Sequence, residues 1–154
     1  MIESKMMNIV KANNEDFEEL VKMGLLLWPK HSEKEIKEEF NRILRSDRDI
    51  VFVGKEDHLL VAFVSASIKE EHIPGANEYP VGYLEGLYVK EKYRKRGIAK
   101  ELIRKAEEWA KTKGCKEMGS DTWDWNKESI EFHKKLGFTE HSTLVHFIKK
   151  LTKK

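Results

Sequence analysis

Residues 83–110, which read YLEGLYVKEKYRKRGIAKELIRKAEEWA, decide the fold. Residues 83–89 are apolar enough to form a central strand, and a basic turn follows them at residues 94–99. Apolar residues then recur at helical spacing, which predicts a long amphipathic helix that ends near Gly114. Its apolar positions are Ile98, Leu102, Ala106, Trp109 and Ala110.

The basic turn between this strand and helix has the features of an anion-binding site. Gly97 lets the backbone turn tightly, and the small Ala99 lets a ligand approach the chain. The free N–H groups and the dipole of a helix N-terminus bind phosphate groups. The turn is neither a Walker loop nor a dinucleotide fingerprint, and taken alone it also fits an exposed basic turn. The residues predicted to hold the anion are Arg94, Lys95, Arg96, Gly97, Ile98 and Ala99.

Outside this stretch, the pattern predicts further strands at 7–12, 50–54, 59–68, 115–120 and 144–148. Asn13 is expected to cap a first helix that Pro29 ends, and Ser32 and Glu35 form a capping box for a second. Asn126 is expected to cap a last helix. The order β-α-α-β-β-β-α-β-α-β predicts an α/β (α+β) fold, a mixed and mainly antiparallel central sheet with helices on both faces.

Length and composition indicate one domain that spans residues 1–154. The chain has 40% hydrophobic and 36% charged residues, which is enough for a core with a heavily charged surface. No apolar run can span a bilayer and no secretory signal is visible, so we expect a cytoplasmic protein. The lone Cys115 excludes an internal disulfide and is expected to be an inert, buried residue. We expect no metal, because the His and acidic residues form no cluster.

Charge is distributed unevenly along the chain. Residues 69–88 carry four acids and one base, a local charge of −3, whereas residues 90–105 carry eight bases and two acids, a local charge of +6. Such a pair of stretches indicates one cationic and one anionic ligand, although two solvated faces of opposite sign are the alternative. The total charge of +2 gives no global field that would favour nucleic acid.

The order of elements and the turn at residues 94–99 resemble the Gcn5-related N-acetyltransferase (GNAT) superfamily. There, this turn and helix N-terminus hold the pyrophosphate of coenzyme A, so the resemblance implies acetyl-CoA as co-substrate. Asn126, His133 and the following Leu136-Gly137-Phe138 resemble a later motif of the same superfamily.

Four further stretches resemble the small dimeric aminoglycoside 6'-N-acetyltransferases. They are LWPKH at 27–31, ASI at 66–68, PVGYLEG at 80–86 and SDT at 120–122. The resemblance implies acetyl transfer to the 6'-amine of an aminoglycoside, an antibiotic-resistance activity, and a homodimer.

A carboxylate near the acceptor is expected, because a primary amine is mostly protonated at neutral pH and must lose a proton before attack. Glu85 on the central strand and Asp121 after the next strand would meet at one edge of the sheet. We predict Glu85 as the direct or water-mediated base and Asp121 as the group that positions the ammonium. The alternative is a strand-edge surface charge and a turn residue.

The remaining acceptor residues follow mainly from the resemblance. Trp28 and His31 would line the aminoglycoside pocket, although Trp28 also lies on the apolar helical stripe. Glu70 and Glu71 would add negative charge or be solvated loop residues, and the role of His72 is open. Glu140, from a second subunit, would supply a further acid, whereas Ser142 stands where some relatives have one.

The resemblance also implies roles toward acetyl-CoA. Main-chain groups of Leu87, Tyr88 and Val89 would contact it and stabilise the oxyanion. Asn126 would hold the pantetheine arm or only cap its helix. His133 stands where many members carry a Tyr that protonates the leaving thiolate, so it is either that acid or a core histidine.

Three other functions stay open at this point. An N-acetyltransferase that acts on another small amine, such as a polyamine or an amino sugar, is the first. A non-catalytic acetyl-CoA sensor would bind the cofactor without turnover. A nucleic-acid binder is the weakest alternative, since the basic stretch is short.

Overall fold

A computed structural model describes residues 7–152, and the chain divides into two compact units, a first that ends at Asp121 and a second that begins at Thr122. The first unit holds five strands and three α-helices. The strands are β1 (Met7–Lys11), β2 (Asp49–Glu56), β3 (Leu59–Lys69), β4 (Val81–Val89) and β5 (Met118–Gly119). The helices are α1 (Phe17–Leu27), α2 (Glu33–Arg45) and α3 (Ile98–Thr112). Short 3-10 turns occur at Asn14–Asp16 and Glu91–Tyr93.

The strands form one sheet in the order β1-β2-β3-β4-β5. The first three pairings are antiparallel, and β4 and β5 are parallel because α3 carries the chain back between them. The predicted fold class is confirmed. The strand predicted at 115–120 is shorter than expected, since only Met118 and Gly119 pair with β4.

One face of the sheet is covered by α1 and α2. Ser32 caps α2 as the sequence predicts, whereas Asn13 caps the 3-10 turn that precedes α1, and within the described chain α1 itself begins after Asp16 without a side-chain cap. The side chains of Asn13 and Ser32 each form a capping box. Ile36, Phe40 and Ile43 of α2 are buried in a core with β2 and β3. Phe40 meets Phe63 of β3 edge to face, at 5.7 Å between ring centroids.

The other face of the sheet is covered by α3. Leu102, Ala106 and Ala110 are buried at the helical spacing that the sequence shows. Cys115 is buried beside Ala110 and Ile68, and burial raises the pKa of its thiol. Together the two layers of helices enclose the apolar strands of the first unit. No helix in residues 7–152 combines the length and the apolar character needed to cross a membrane.

The second unit contains one helix, α4 (Lys127–Lys135), and Asn126 caps it by accepting from the Ser129 N–H at 3.1 Å. The strand predicted at residues 144–148 is wrong, because the described chain after residue 138 has neither helix nor strand. Strand propensity makes a segment compatible with a sheet, but a strand also requires a neighbour that completes its hydrogen bonds. That residues 1–154 form a single domain stays a prediction.

Candidate active site

The α1/α2 face of the sheet changes from apolar to polar along β3, and this change creates the candidate site. Phe63 belongs to the aromatic core, and the residues that follow it on the same face by strand alternation are Ser65, Ser67 and Lys69. A cavity of about 530 Å³ opens over this polar end. It is lined by Arg42, Ser46, Arg48, Asp49, Ser67, Ile68, Lys69, Glu70, Glu71 and Glu85.

A β-bulge turns Glu85 toward this cavity. Ala66 pairs with Leu84 and Ser65 pairs with Gly86, so β4 has one more residue than β3 at this point, and that residue is Glu85. Without the bulge, strict alternation from Gly86 would direct Glu85 to the α3 face. The bulge therefore places a carboxylate on the same face as the polar residues of β3.

Glu85 is held in an environment suited to a base. Its side chain is 37% exposed, and burial raises the pKa of its carboxyl, as do the negative charges of Asp121 and Asp49. Lys69 opposes them and lowers the pKa, with its Nζ 3.7 Å from Glu85 Oε2. The net effect is a pKa above the ordinary value, which makes this carboxylate a better proton acceptor than a solvated one.

Tyr83 lies near both predicted carboxylates. Tyr83 lies two residues before Glu85 on β4, and its hydroxyl donates to Asp121 Oδ2. Burial, followed by this hydrogen bond and the charge of Asp121, raises the pKa of the Tyr83 phenol. The charges of both Asp121 and Glu85 raise the pKa of this phenol, so the two carboxylates lie near the same tyrosine, although Glu85 is in the middle of β4 and not at its end. That both reach one amine stays a prediction.

Glu70 and Glu71, which follow β3, both line the cavity. Glu70 pairs with Arg48 at 3.6 Å, and Glu71 pairs with Lys69 at 3.7 Å. Exposed pairs of this kind exchange readily with solvent or with another cation. His72 is exposed and does not line the cavity.

Trp28 lies between the core and β4. Its ring packs against Phe40 and Phe63, with centroids 6.5 Å and 6.1 Å away, and it covers Gly86 beside the bulge. His31, in contrast, is exposed and lies 3.3 Å from the Glu35 carboxylate. Neither residue lines the cavity, so their contact with an acceptor stays a prediction.

The turn between β4 and α3 has the backbone that an anion site requires. Lys95 and Gly97 both have left-handed φ angles, of 65° and 81°, and no side chain caps the N-terminus of α3 in the described chain. A Cβ at Gly97 would meet nothing within 4 Å, so the approach to the N-terminal amides of Ile98 and Ala99 is open.

The two arginines of this turn are oriented differently from one another. Arg94 is turned back toward the sheet, where its Nε donates to the Val89 carbonyl at 2.8 Å and its guanidinium lies over the Tyr88 ring. Arg96 lies over the Tyr93 ring and 3.5 Å from the Glu56 carboxylate. Arg94 therefore fixes the turn to β4, and this role was not foreseen from the sequence.

Residues 84–89 of β4 form no strand pairing on the side of β5 within the described part of the first unit. Within residues 7–152, β5 pairs only with Gly82 and Tyr83, whereas on its other side β4 pairs with β3 as far as Val89. Main-chain groups of Leu87, Tyr88 and Val89 are thus at a strand edge, where the predicted contacts with acetyl-CoA require them.

The second unit carries the remaining predicted residues. Asn126 is the cap of α4, and the His133 ring is 2.7 Å from the Ser129 carbonyl through Nδ1 and packs on Phe138 at 5.4 Å. Glu140 lies 3.9 Å from Lys134. Their roles toward either substrate stay predictions. No group of three or more His, Cys, Asp or Glu side chains suited to a metal ion occurs in residues 7–152.

A sequence profile of the acetyltransferase (GNAT) family matches residues 9–138. The chain belongs to this family. The resemblance drawn from the turn at residues 94–99 and from the order of elements is thereby confirmed.

Two relatives within the GNAT family cover nearly the whole chain. Aminoglycoside N(6')-acetyltransferase type 1 of Salmonella enteritidis is 33% identical over 144 residues, 94% of this chain and 99% of the relative. The enzyme of the same name from Acinetobacter haemolyticus is 36% identical over 145 residues, again 94% and 99%. The likeness to aminoglycoside 6'-N-acetyltransferases that four short stretches indicated is therefore confirmed.

Solved structures give the same result. Aminoglycoside N-acetyltransferase AAC(6')-Iy in complex with CoA superimposes with a TM-score of 0.92 at 32% identity, covering 97% of this chain and 99% of that one. The same enzyme in complex with the bisubstrate analogue CoA-S-monomethyl-acetylneamine gives 0.89 at 33% identity, covering 94% and 99%.

Tyr83 and Lys69, the two residues closest in role to the predicted carboxylates, were missed by reasoning from the sequence. Tyr83 shares a strand face with Glu85 at a spacing of two, and that signal was available. Lys69 precedes the two predicted acids by one and two residues, but a lysine among acids is usually solvated, and only the fold shows that it faces Glu85.

Proposed function

We propose that this chain transfers the acetyl group of acetyl-CoA to the 6'-amine of aminoglycoside antibiotics. The observation that carries the proposal is the Glu85 carboxylate, which has a raised pKa and lines a cavity with three further acidic and three basic side chains, on the same sheet as the predicted anion-binding turn. The proposal is supported by two relatives that are named aminoglycoside N(6')-acetyltransferases, and by the bisubstrate analogue bound in the similar solved structure.

The proposed roles follow from charge and proton balance. The acidic cavity attracts a cationic acceptor, and Asp121 holds the ammonium while Glu85 takes its proton directly or through one water. The neutral amine then attacks the thioester carbonyl carbon and a C–N bond forms. The C–S bond breaks to release the coenzyme A thiolate, and the nitrogen loses its second proton, which balances the protonation of this thiolate. The amide N–H groups at the start of α3, with Lys95 and Arg96, would hold the pyrophosphate.

The other sequence predictions are part of the same proposal. His133 would protonate the thiolate, and Asn126 would contact the pantetheine arm. Trp28, His31 and His72 would contact the aminoglycoside. We also propose that the protein acts in the cytoplasm as a homodimer in which Glu140 of one copy adds charge to the site of the other. Light scattering on the purified protein tests the dimer, because a monomer mass at micromolar concentration would exclude it.

The test of the activity measures free thiol released from acetyl-CoA in the presence of kanamycin, tobramycin, spermidine or no acceptor. We expect turnover with both aminoglycosides at micromolar concentration and none with a derivative that lacks the 6'-amine. Turnover with spermidine alone would refute the aminoglycoside assignment. Expression in a susceptible bacterium should correspondingly raise the kanamycin concentration that the cells survive.

The role of Glu85 is tested by Glu85→Gln, with Glu71→Gln as the matched control from the rim of the same cavity. Removing a general base costs about 10²–10⁴-fold in rate, so Glu85→Gln should lower kcat by at least about a hundredfold. Glu71→Gln should raise KM for the acceptor only a few-fold and leave kcat unchanged, because its exposed charge attracts but takes no proton. Loss of less than about twofold in the Glu85 variant would exclude the base role.

A further inference from the structure

Three basic side chains line the cavity, Arg42, Arg48 and Lys69, and Lys69 is the one that pairs with Glu85. Lys69 ends β3, and its side chain is 28% exposed. Its Nζ lies 3.7 Å from Glu85 Oε2, 3.7 Å from Glu71 Oε1 and 5.9 Å from the centre of the Tyr83 ring. Two carboxylates and an aromatic face form the environment that a primary ammonium of a ligand would also require.

The proposed reaction brings a second ammonium to Glu85, and the two cations compete for one carboxylate. Like charges a few ångströms apart repel strongly where solvent is partly excluded. Lys69 is also paired with Glu71, so its ammonium can stay neutralised at the rim after it leaves Glu85. The site therefore permits an exchange of one ammonium for another.

A second observation, a buried hydroxyl at the cavity, indicates that a ligand with hydrogen-bonding groups would fit there. Ser67 lies two residues before Lys69 on the same face of β3. It is only 5% exposed and lines the cavity. Its Oγ has no hydrogen-bond partner among the described residues. A buried hydroxyl without a partner costs stability, and a ligand that displaces Lys69 would supply one.

We propose that Lys69 is a specificity-determining residue, a resident ammonium that pairs with Glu85 in the free protein and is displaced when the acceptor ammonium binds. The inference rests on the proposed function. The consequence concerns which acceptors bind. An acceptor with one positive charge only replaces one ammonium by another at Glu85. A polycation also competes for Glu70, whose ion pair with Arg48 is exposed and exchanges readily. Lys69 therefore discriminates against small monoamines.

The test is calorimetric binding without acetyl-CoA, using kanamycin and 6-amino-6-deoxyglucose as acceptors for the wild type and Lys69→Met. We expect the variant to bind the monoamine at least tenfold more tightly and kanamycin about threefold more tightly. Lys69→Arg keeps the charge and should behave like the wild type. Lys90→Met is the matched control, since Lys90 is 30% exposed and pairs with Glu19 at 3.5 Å. It should leave both affinities within twofold.

Equal or weaker monoamine binding by Lys69→Met would overturn the inference, as would an equal gain in Lys90→Met. A titration of the Glu85 carboxyl carbon by NMR separates this failure from that of the proposed function, because it needs no acceptor. Removing Lys69 should raise the pKa of Glu85, which Asp121 and Asp49 then influence without an opposing cation. An unchanged Glu85 titration would overturn the inference even if kanamycin is acetylated. If Glu85 titrates and the monoamine binds as expected but kanamycin is not acetylated, only the aminoglycoside assignment is rejected.

Discussion

Gly86→Ala is expected to damage the protein because of one close approach. A Cβ placed on Gly86 would lie 2.5 Å from Trp28 Cζ2, 2.8 Å from Trp28 Cη2 and 3.1 Å from Leu27 Cδ2. The Trp28 ring cannot move away easily, since it packs against Phe40 and Phe63 at 6.5 Å and 6.1 Å between centroids. The end of α1 would have to shift from the sheet instead.

The magnitude follows from the cost of overpacking. An added methyl group in a packed core costs about 1–3 kcal/mol. Replacing a strand glycine by alanine otherwise gains about 0.5–1 kcal/mol through the backbone, so the overlap must exceed this gain. A net loss of about 1–2 kcal/mol corresponds to a fall in Tm of about 2–8 °C for a chain of this length.

The assay is thermal unfolding of Gly86→Ala beside Gly54→Ala, which is a matched control in the same sheet. A Cβ at Gly54 would meet its nearest neighbours at 3.5–3.6 Å, an ordinary contact distance, so the control should be unchanged or more stable than the wild type by up to about 1 kcal/mol. Trp28→Phe removes the atoms that Cβ would meet, and the double variant should recover about 1 kcal/mol relative to additivity. Equal Tm changes for the two glycine variants, with additive behaviour of the double variant, would refute the argument.

Three further predictions concern other parts of the fold. Asp121→Asn removes the charge next to Tyr83, so the pKa of the phenol should fall toward its ordinary value. Alkaline absorbance titration measures this pKa, and an unchanged tyrosine titration would contradict the prediction. Ser32→Ala removes the capping box of α2 and should cost about 1 kcal/mol, measured by urea unfolding, with a loss below about 0.3 kcal/mol counting against the cap. Cys115 should react with a thiol reagent only after unfolding, because it is buried with a raised pKa; equal rates in the native and unfolded protein would disprove this.

The parts of the fold that the sequence predicts well are those determined by local signals. The capping boxes at Asn13 and Ser32 and the apolar stripe of α3 depend on residues three or four positions apart, and all are present. The strand at residues 144–148 fails for the opposite reason. Its side chains favour extended structure, but a strand is completed by a distant neighbour that no local pattern specifies.

The candidate site also has parts that the sequence predicts and parts that it does not. Glu85 and Asp121 were predicted because the carboxyl ends of parallel neighbouring strands lie together, and Asp121 does follow β5, whereas Glu85 lies in the middle of β4. The bulge that directs Glu85 was not predictable, since it is a property of the register between β3 and β4 rather than of either sequence. Lys69 was missed for this reason, because its distance from Glu85 depends on that register.

The bulge also makes the site sensitive to the number of residues in β4 and not only to their identity. Deletion of Glu85, the extra residue between Leu84 and Gly86, would restore regular pairing with β3 and leave the sheet with an intact hydrogen-bond ladder. The cavity would then have no carboxylate from β4, although every other side chain around it would be unchanged. In sequence comparisons, a one-residue gap in this strand would therefore indicate loss of the reactive group more reliably than most substitutions nearby.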